Sequence, residues 1–336
     1  MNMKKIILLA HDPGGYDVVF PVAQKLQRDG NAVDFYTIGP AAKLNPMYSV
    51  AKAELLRLIR NLLSNGEICG LVTGTSGGSS LELQAIAACR QAGIPTVAII
   101  DYWSNYRSRF VCPTGEVIYP DYCIVMDGLA KDEAIRDGIP KTIISVLGHP
   151  GLDKYTACQT MMRCCSNEWN KVLFLSQPLS AFYGENLGYT EQQALSDCIK
   201  VVTKRNNCSL HIKFHPKDAE CFQQRYAKIA VSGNLIDILS DYDLVIGMST
   251  MGLLHAVLMG IPAISYQPNL RQQDLCITNK LGLTKLSTSP QELEMLMNSR
   301  FDVQVTTNSS VLSQKFIWLD GHSTERVAGF IMEVFK

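Results

Sequence analysis

Short apolar runs alternate along this chain with longer segments whose apolar residues recur at helical spacing. The run Lys5–Ala10 (KIILLA) is typical of a strand buried on both faces, and residues 16–29 place valine and leucine on one face of a helix. Helices separate further predicted strands at residues 32–38, 69–73, 95–100, 122–126 and 142–147. This alternation predicts βαβ units that form a largely parallel sheet with helices on both faces.

The alternation stops in a polar segment at residues 153–170 and starts again at residue 171. Strands are predicted at residues 171–176, 209–214, 244–247 and 263–266. We therefore predict an α/β protein with two tandem Rossmann-like domains and a central cleft. The predicted domains are residues 1–153 and 171–320, and residues 321–336 form a C-terminal helix that packs back on the first domain.

Composition narrows the class of protein. The 336 residues are 47% hydrophobic and 18% charged with a formal net charge of 0, so the chain has ample core material and no basic stripe for nucleic acid. The 11 cysteines are scattered without metal-type spacing, which indicates reduced thiols and a cytoplasmic protein. The apolar run after the N-terminal lysines is too short for an export signal, and no run reaches the roughly 18 residues that span a bilayer. The sequence does not exclude peripheral contact of the protein with a membrane.

Polar and glycine residues follow the first predicted strand directly. His11 and Asp12 precede Gly14 and Gly15, which allow a ligand to approach the backbone closely. Asp12 could act as a general base, or it could simply cap the following helix. The turn lacks the GxGxxG pattern, so a dinucleotide site is disfavoured.

Two further loops of the first half carry candidate ligand-binding groups. Residues 73–80, including Thr75 and Ser76, are rich in glycine and hydroxyls and are typical of an anion-binding turn or a flexible loop with a serine cap. Residues 101–110 combine Asp101, Trp103, Asn105 and Arg109, which could stack on a sugar and hold a carboxylate or phosphate. The alternative is that these rings only pack inside the protein. His149, just before the polar segment, could face a cleft or merely shape the turn.

Two predicted strands of the second half are followed by residues that could bind a ligand. His215, Pro216 and Lys217 follow one predicted strand, at the end where open sheets bind ligands. Ser249, Thr250 and Gly252 follow another and open a short helix, where an anion is favoured unless Thr250 is only a cap. Gln272 is a weaker candidate for binding ligand hydroxyls.

These elements resemble those of GT-B glycosyltransferases. His215-Pro216 and Ser249-Thr250 are similar to the HP and S-S/T motifs of bacterial sialyl-, polysialyl- and Kdo transferases, and residues 148–153 (GHPGLD) resemble a junction in the UDP-GlcNAc 2-epimerase superfamily. Many GT-B enzymes that use UDP-sugars carry a glutamate where this chain has His255. That difference favours a CMP- or CDP-linked donor.

The resemblance implies a metal-independent transferase without a cofactor. It would move a sugar, or a polyol phosphate, from a nucleotide-linked donor to a glycan or lipid-linked acceptor in polysaccharide biosynthesis. Asp12 would be the base, the second domain would hold the donor, and His215 would stabilise the departing negative charge. A sugar-nucleotide epimerase or hydrolase, which needs several carboxylates, and a non-catalytic sugar-nucleotide-binding protein are the alternatives. The expected donor-side residues are His215, Pro216, Lys217, Ser249, Thr250, Gly252, His255 and Gln272, and the acceptor-side residues are His11, Gly14, Gly15, Thr75, Ser76, Asp101, Trp103, Asn105, Arg109 and His149.

Overall fold

The computed structural model describes residues 4–77, 79–157, 169–299 and 316–336. The chain divides into two compact units, of which unit 1 comprises residues 1–154 and 310–336 and unit 2 comprises residues 155–309. Each unit is built on one parallel sheet. The predicted α/β class with two Rossmann-like domains is therefore confirmed. Most of the predicted polar segment, residues 158–168, lies outside the described residues.

Unit 1 contains a six-stranded sheet of order β2-β1-β3-β4-β5-β6. Successive connections run in opposite directions from β1, so the β1/β3 boundary is the point where open sheets of this type bind ligands. The strands are β1 Lys5–Ala10, β2 Val33–Thr37, β3 Ile68–Thr73, β4 Thr96–Ile99, β5 Tyr122–Val125 and β6 Ile144–Val146. The helices are α1 Pro13–Arg28, α2 Lys52–Ser64, α3 Leu81–Gln91, α4 Gly128–Arg136 and, at the C-terminus, α13 Ser323–Val334.

Unit 2 contains a five-stranded sheet of order β11-β10-β9-β7-β8, with its change of direction between β7 and β9. The strands are β7 Lys171–Leu175, β8 Ser209–Lys213, β9 Leu244–Gly247, β10 Ala263–Tyr266 and β11 Lys285–Ser287. The helices are α5 Asp153–Ala157 at the boundary of the units, then α6 Leu179–Tyr183, α7 Glu191–Thr203, α8 Glu220–Arg225, α9 Leu235–Leu239, α10 Met251–Leu258, α11 Ile277–Lys280 and α12 Pro290–Asn298.

Helix α13 packs against α1 in unit 1. Val327 and Ile331 on one face of α13 are fully buried, in the same core as Val18 and Val22 of α1. Gly70 of β3 makes room for the ring of Phe335, because a side chain at that position would overlap the ring. The C-terminal helix thus completes the hydrophobic core of unit 1, which positions the carboxyl ends of β1, β3 and β4.

Candidate functional site

Asp12 follows β1 and lies at the carboxyl edge of the unit 1 sheet. Its Oδ1 accepts a hydrogen bond from the backbone N–H of Gly15 at 2.7 Å, so it caps α1. Burial raises the pKa of Asp12 above its ordinary value, the Gly15 N–H opposes this, and the negative charge of Asp101 adds to the rise. The side chain is therefore a helix cap whose carboxyl group holds its proton to a higher pH than an ordinary aspartate.

Arg109 joins two loops at the same edge. Its Nη1 forms an ion pair with Asp101 and donates to the backbone carbonyl of Thr75 at 3.0 Å and to Thr75 Oγ1 at 2.9 Å. Gly14 faces this pair, since a Cβ on it would overlap the Asp101 carboxylate. The structure thus brings Asp12, Thr75, Asp101 and Arg109 together at the β1/β3 boundary.

Glu82, on α3, is a buried carboxylate that the sequence analysis missed. It is 3% exposed, and its Oε2 accepts the backbone N–H of Ser76 at 2.9 Å. Burial raises the pKa of Glu82 to about 7, and the charge of Asp12 contributes to this rise. A signal did exist in the sequence, because Glu82 shares the buried face of α3 with Ala85, Ile86 and Cys89 at helical spacing.

Glycines allow the three carboxylates to converge. A Cβ on Gly15 would lie 3.0 Å from Asp12 Oδ1 and 3.7 Å from Glu82 Oε1, and a Cβ on Gly74 would lie 2.7 Å from the Gly15 Cα. The turns after β1 and β3 therefore pack backbone against backbone. We call Asp12, Glu82 and Asp101 the carboxylate cluster of unit 1.

We expect the stability of the protein to fall as Glu82 ionises. The Glu82 pKa rises from 4.5 to about 7 on folding, so the folded protein binds this proton more tightly, and the free energy of unfolding decreases as pH rises through that window. The contribution, about 3 kcal/mol, is fully present below the unfolded pKa and is lost above the folded one. Urea unfolding between about pH 4 and pH 8 should show this slope in wild type and lose it in Glu82→Gln. The exposed Glu333→Gln serves as control, and an equal slope in wild type and Glu82→Gln would contradict the assignment.

The aromatic and imidazole candidates of unit 1 are buried rather than open to a ligand. Trp103 is 3% exposed and donates its indole N–H to Asp127 at 2.8 Å, so the expected sugar-stacking role is wrong for this ring. His149 is 2% exposed, stacks on Trp103, and donates from Nε2 to the backbone carbonyl of Asp101 at 2.9 Å. His149 therefore holds the Asp101 loop instead of facing a ligand. Asn105 is exposed in a left-handed turn, with φ of 56°.

His11 is half-buried, and its ring packs on Gly39, where a Cβ would lie 2.6 Å from the ring Nε2. Burial lowers the pKa of His11, the negative charge of Asp12 opposes this, and the positive charge of Lys52 adds to it. Because these effects leave the neutral form favoured, His11 is not a fixed positive charge at this edge.

In unit 2, His215 follows β8 with a defined tautomer. Its Nδ1 accepts the backbone N–H of Lys217 at 3.1 Å, so the ring proton lies on Nε2, and its own backbone N–H donates to Asp218 at 2.8 Å. Burial lowers the pKa of His215. The side chain is therefore a hydrogen-bond donor through Nε2, and the expectation that it stabilises a departing negative charge stays a prediction.

The Ser249–Thr250 turn is closed by side chains of its own unit. Gln177, which follows β7, accepts the backbone N–H of Ser249 at 2.9 Å, and Thr250 Oγ1 accepts the N–H of Gly252 at 3.1 Å. Gly252 is required for packing, since a Cβ there would overlap Leu175. Thr250 is thus a helix cap, and the N–H groups of Ser249 and Gly252 already donate to side chains, so they are not open to the expected anion.

Strand β7 lies between the two predicted elements and supplies residues that the sequence analysis missed. Ser176 and Gln177 extend from β7 between the ends of β8 and β9, at the change of direction in the sheet. Asp218, 5% exposed, has a pKa raised chiefly by burial, with the Ser176 hydroxyl and the His215 N–H acting against the rise. Glu191 accepts from the backbone and hydroxyl of Ser180 at 2.9 and 2.5 Å.

The remaining unit 2 candidates are spread more widely. His255 stacks on Tyr155 with ring centroids 3.9 Å apart. Lys217 places its Nζ 5.7 Å from the ring centroid of the exposed Phe182, beside the exposed Pro216. Gln272 is exposed and donates to the Asn186 carbonyl at 3.3 Å.

Within the described ranges, no three His, Cys, Asp or Glu side chains are grouped in a way that could hold a metal ion. Every helix in those ranges is too short or too polar to cross a membrane.

A scan against protein-family models found no match, and a search of curated proteins also found none. Solved structures are similar over nearly the whole chain. The UDP-GlcNAc 2-epimerase of Methanocaldococcus jannaschii matches with a TM-score of 0.66 at 13% identity, covering 98% of this chain and 99% of its own. The Neisseria meningitidis UDP-GlcNAc 2-epimerase bound to UDP-GlcNAc matches with a TM-score of 0.64 at 11% identity, covering 98% and 100%.

The MurG of Acinetobacter baumannii matches with a TM-score of 0.57 at 14% identity, covering 98% of this chain and 99% of that one. This chain has the GT-B fold. The resemblance that the strand-end motifs suggested is thus confirmed at the level of fold. At identities of 11–14%, the likeness extends to the GT-B architecture and not to the residues of a site.

Proposed function

We propose that this GT-B protein is an enzyme that acts on a sugar nucleotide, and that it works as an epimerase or hydrolase. The observation that carries this proposal is the carboxylate cluster of unit 1. An epimerase must remove a proton from carbon and return one, and a hydrolase must activate water, so both need several carboxyl groups with adjusted pKa values. Only Asp12 and Asp101 were visible as such groups in the sequence, and Glu82 adds the third.

The three carboxyl groups have different roles in this proposal. Asp12 is half-buried with a raised pKa and is the general base. Asp101 is held by Arg109 and orients substrate hydroxyls. Glu82 is fully buried, so it is a positioning residue that acts through Asp12 and through the Ser76 N–H. Protonation of Glu82 near neutral pH would reduce the repulsion that Asp12 experiences when it ionises.

In unit 2, the proposed ligand is the nucleotide part of the substrate. The Nε2–H of His215 is a neutral donor suited to a phosphate oxygen, and it lies at the sheet edge where α/β folds bind nucleotides. The two epimerases compared above are named for UDP-GlcNAc, which supports UDP as the nucleotide. The preference for CMP or CDP, which His255 suggested, stays a prediction to be tested beside it.

A transferase is the second candidate. The His215-Pro216 and Ser249-Thr250 elements both follow strand ends of unit 2, as in the bacterial transferases they resemble, and MurG shares the fold. The two candidates differ in whether an acceptor is needed to release the nucleotide.

Incubation with UDP-, CMP- and CDP-linked sugars in D2O separates the candidates. We expect UDP-GlcNAc to give either deuterium in the sugar and a second epimer, or free UDP without any acceptor. Nucleotide release that requires an added glycan or lipid-linked acceptor would favour the transferase. If none of these sugars releases nucleotide or exchanges hydrogen, the enzyme proposal is wrong.

The nucleotide part of the proposal is tested with His215→Ala. Loss of one hydrogen bond to a phosphate should weaken UDP binding about tenfold or more, measured by titration calorimetry. His211→Ala is the matched control, because His211 lies on the same strand and contacts Tyr242 instead. Equal UDP affinity in the two variants would place the nucleotide elsewhere.

A further inference from the structure

A cavity of about 610 Å³ lies in unit 1 beside the ends of β1, β2 and β3. Its lining includes two cationic side chains, Lys52 and Arg109, and several serine hydroxyls. Among the described residues that line it, none is acidic. We name the cavity the basic pocket and define it by six of its lining residues, which are His11, Lys52, Ser76, Ser79, Ser80 and Arg109.

Lys52 is the cation of the basic pocket that has no ion-pair partner among the described residues. Arg109 is neutralised by Asp101, whereas no carboxylate in the described part of the chain lies within ion-pair distance of the exposed Lys52. The positive charge of Lys52 reaches His11, whose pKa it helps to lower after burial and against Asp12. A lysine without a partner at the mouth of a polar cavity attracts an anion from solution.

Helix α2 begins without a side-chain cap for its first backbone N–H groups. Its N-cap residue is Ala51, which has no side-chain acceptor for the first N–H groups of the helix. Lys52 occupies the first helical position, where a positive charge is unfavourable against the helix dipole. Glu54 in the same turn partly offsets this but does not line the pocket. An anion bound in the pocket would neutralise Lys52.

The hydroxyls of two serines that line the pocket accept hydrogen bonds from nearby groups of unit 1. Ser79 Oγ accepts the N–H of Leu81 at 3.2 Å, and Ser80 Oγ accepts from Gln84 at 2.9 Å. Each hydroxyl also has a hydrogen of its own, which it can donate to an acceptor in the cavity. The described lining therefore combines Lys52, which has no ion-pair partner in the described part of the chain, with serine hydroxyls, and such groups recognise phosphate or carboxylate.

We propose that the basic pocket binds a small anion, a phosphate or a carboxylate, that is separate from the nucleotide proposed for unit 2. Lys52 supplies the ion pair, and Ser79 and Ser80 supply hydrogen bonds. Arg109 lines this pocket and is held by Asp101 and Thr75, so it lies between the pocket and the carboxylate cluster.

Titration calorimetry of the full chain at low ionic strength tests the proposal. The probes are inorganic pyrophosphate and a hexuronate, which distinguish phosphate from carboxylate, with glucose as the uncharged control. Wild type should bind at least one of the two anions and not glucose. Lys52→Gln should weaken that binding about tenfold, the expected loss for a charge-assisted contact, and Lys52→Arg should retain most of it. Lys43→Gln, an exposed lysine outside the pocket, is the matched control.

The same experiment with UDP keeps the two proposals apart. UDP affinity should fall in His215→Ala and not in Lys52→Gln, while pyrophosphate or hexuronate affinity, measured with excess UDP filling the proposed nucleotide site, should show the reverse. Wild-type anion affinity in Lys52→Gln, or no anion binding by wild type, would overturn the basic pocket and leave the proposed function standing. Unchanged UDP affinity in His215→Ala, with anion binding still sensitive to Lys52, would do the opposite.

Discussion

Asp12→Asn is expected to lower kcat about 100- to 10,000-fold while the protein stays folded. Asparagine retains the side-chain oxygen that accepts the Gly15 N–H, and it is as good a helix cap as aspartate, so α1 should keep its start. What the substitution removes is the basic carboxylate at the β1/β3 boundary. The variant therefore separates the cap from the base, the two roles that the sequence could not distinguish.

The matched control is Asp29→Asn at the other end of the same helix. Asp29 is the C-cap residue of α1 and pairs with Lys25 on the surface, so its neutralisation should leave kcat unchanged. Turnover of a UDP-sugar is the measurement, with thermal unfolding as the check on folding. Asp12→Asn that turns over at the wild-type rate would exclude Asp12 as the base.

Asp127→Ala is expected to destabilise unit 1 by about 3–5 kcal/mol. Asp127 is 1% exposed, and its Oδ2 accepts the indole N–H groups of Trp103 at 2.8 Å and Trp318 at 3.0 Å. Its Oδ1 caps α4 by accepting the N–H of Ala130 at 2.8 Å. Removal of the carboxylate leaves two buried indole donors and a helix start without their acceptor.

Urea unfolding in a Trp169→Phe background measures this effect, because the two remaining tryptophans are both in unit 1. Asp132→Ala, an exposed aspartate on α4, should change stability by less than about 0.5 kcal/mol. A loss below about 1 kcal/mol in Asp127→Ala would mean that the indoles find other acceptors or water.

The sequence predicts the position of the site in the fold, because it shows where the strands end. It does not predict the contacts within the site. Asp12, Asp101, His215 and Ser249 all follow strands, and parallel strands place such residues at one edge of a sheet. Which side chains meet there depends on loops that the periodicity does not describe. Trp103 is buried, so its ring is not open to a ligand at that edge, and the side chain of Gln177 accepts the hydrogen bond of the Ser249 N–H.

The sequence by itself determined the α/β class and the restart of the pattern at residue 171, because buried parallel strands are local apolar runs and amphipathic helices have a local period. The tertiary structure decided the pairings between distant residues. Trp318 reaches Asp127 across 191 positions, and Arg109 reaches Thr75 across 34. It also gave Glu82 its pKa of about 7, since a shift of that size comes from burial and neighbouring charge, which no local pattern encodes.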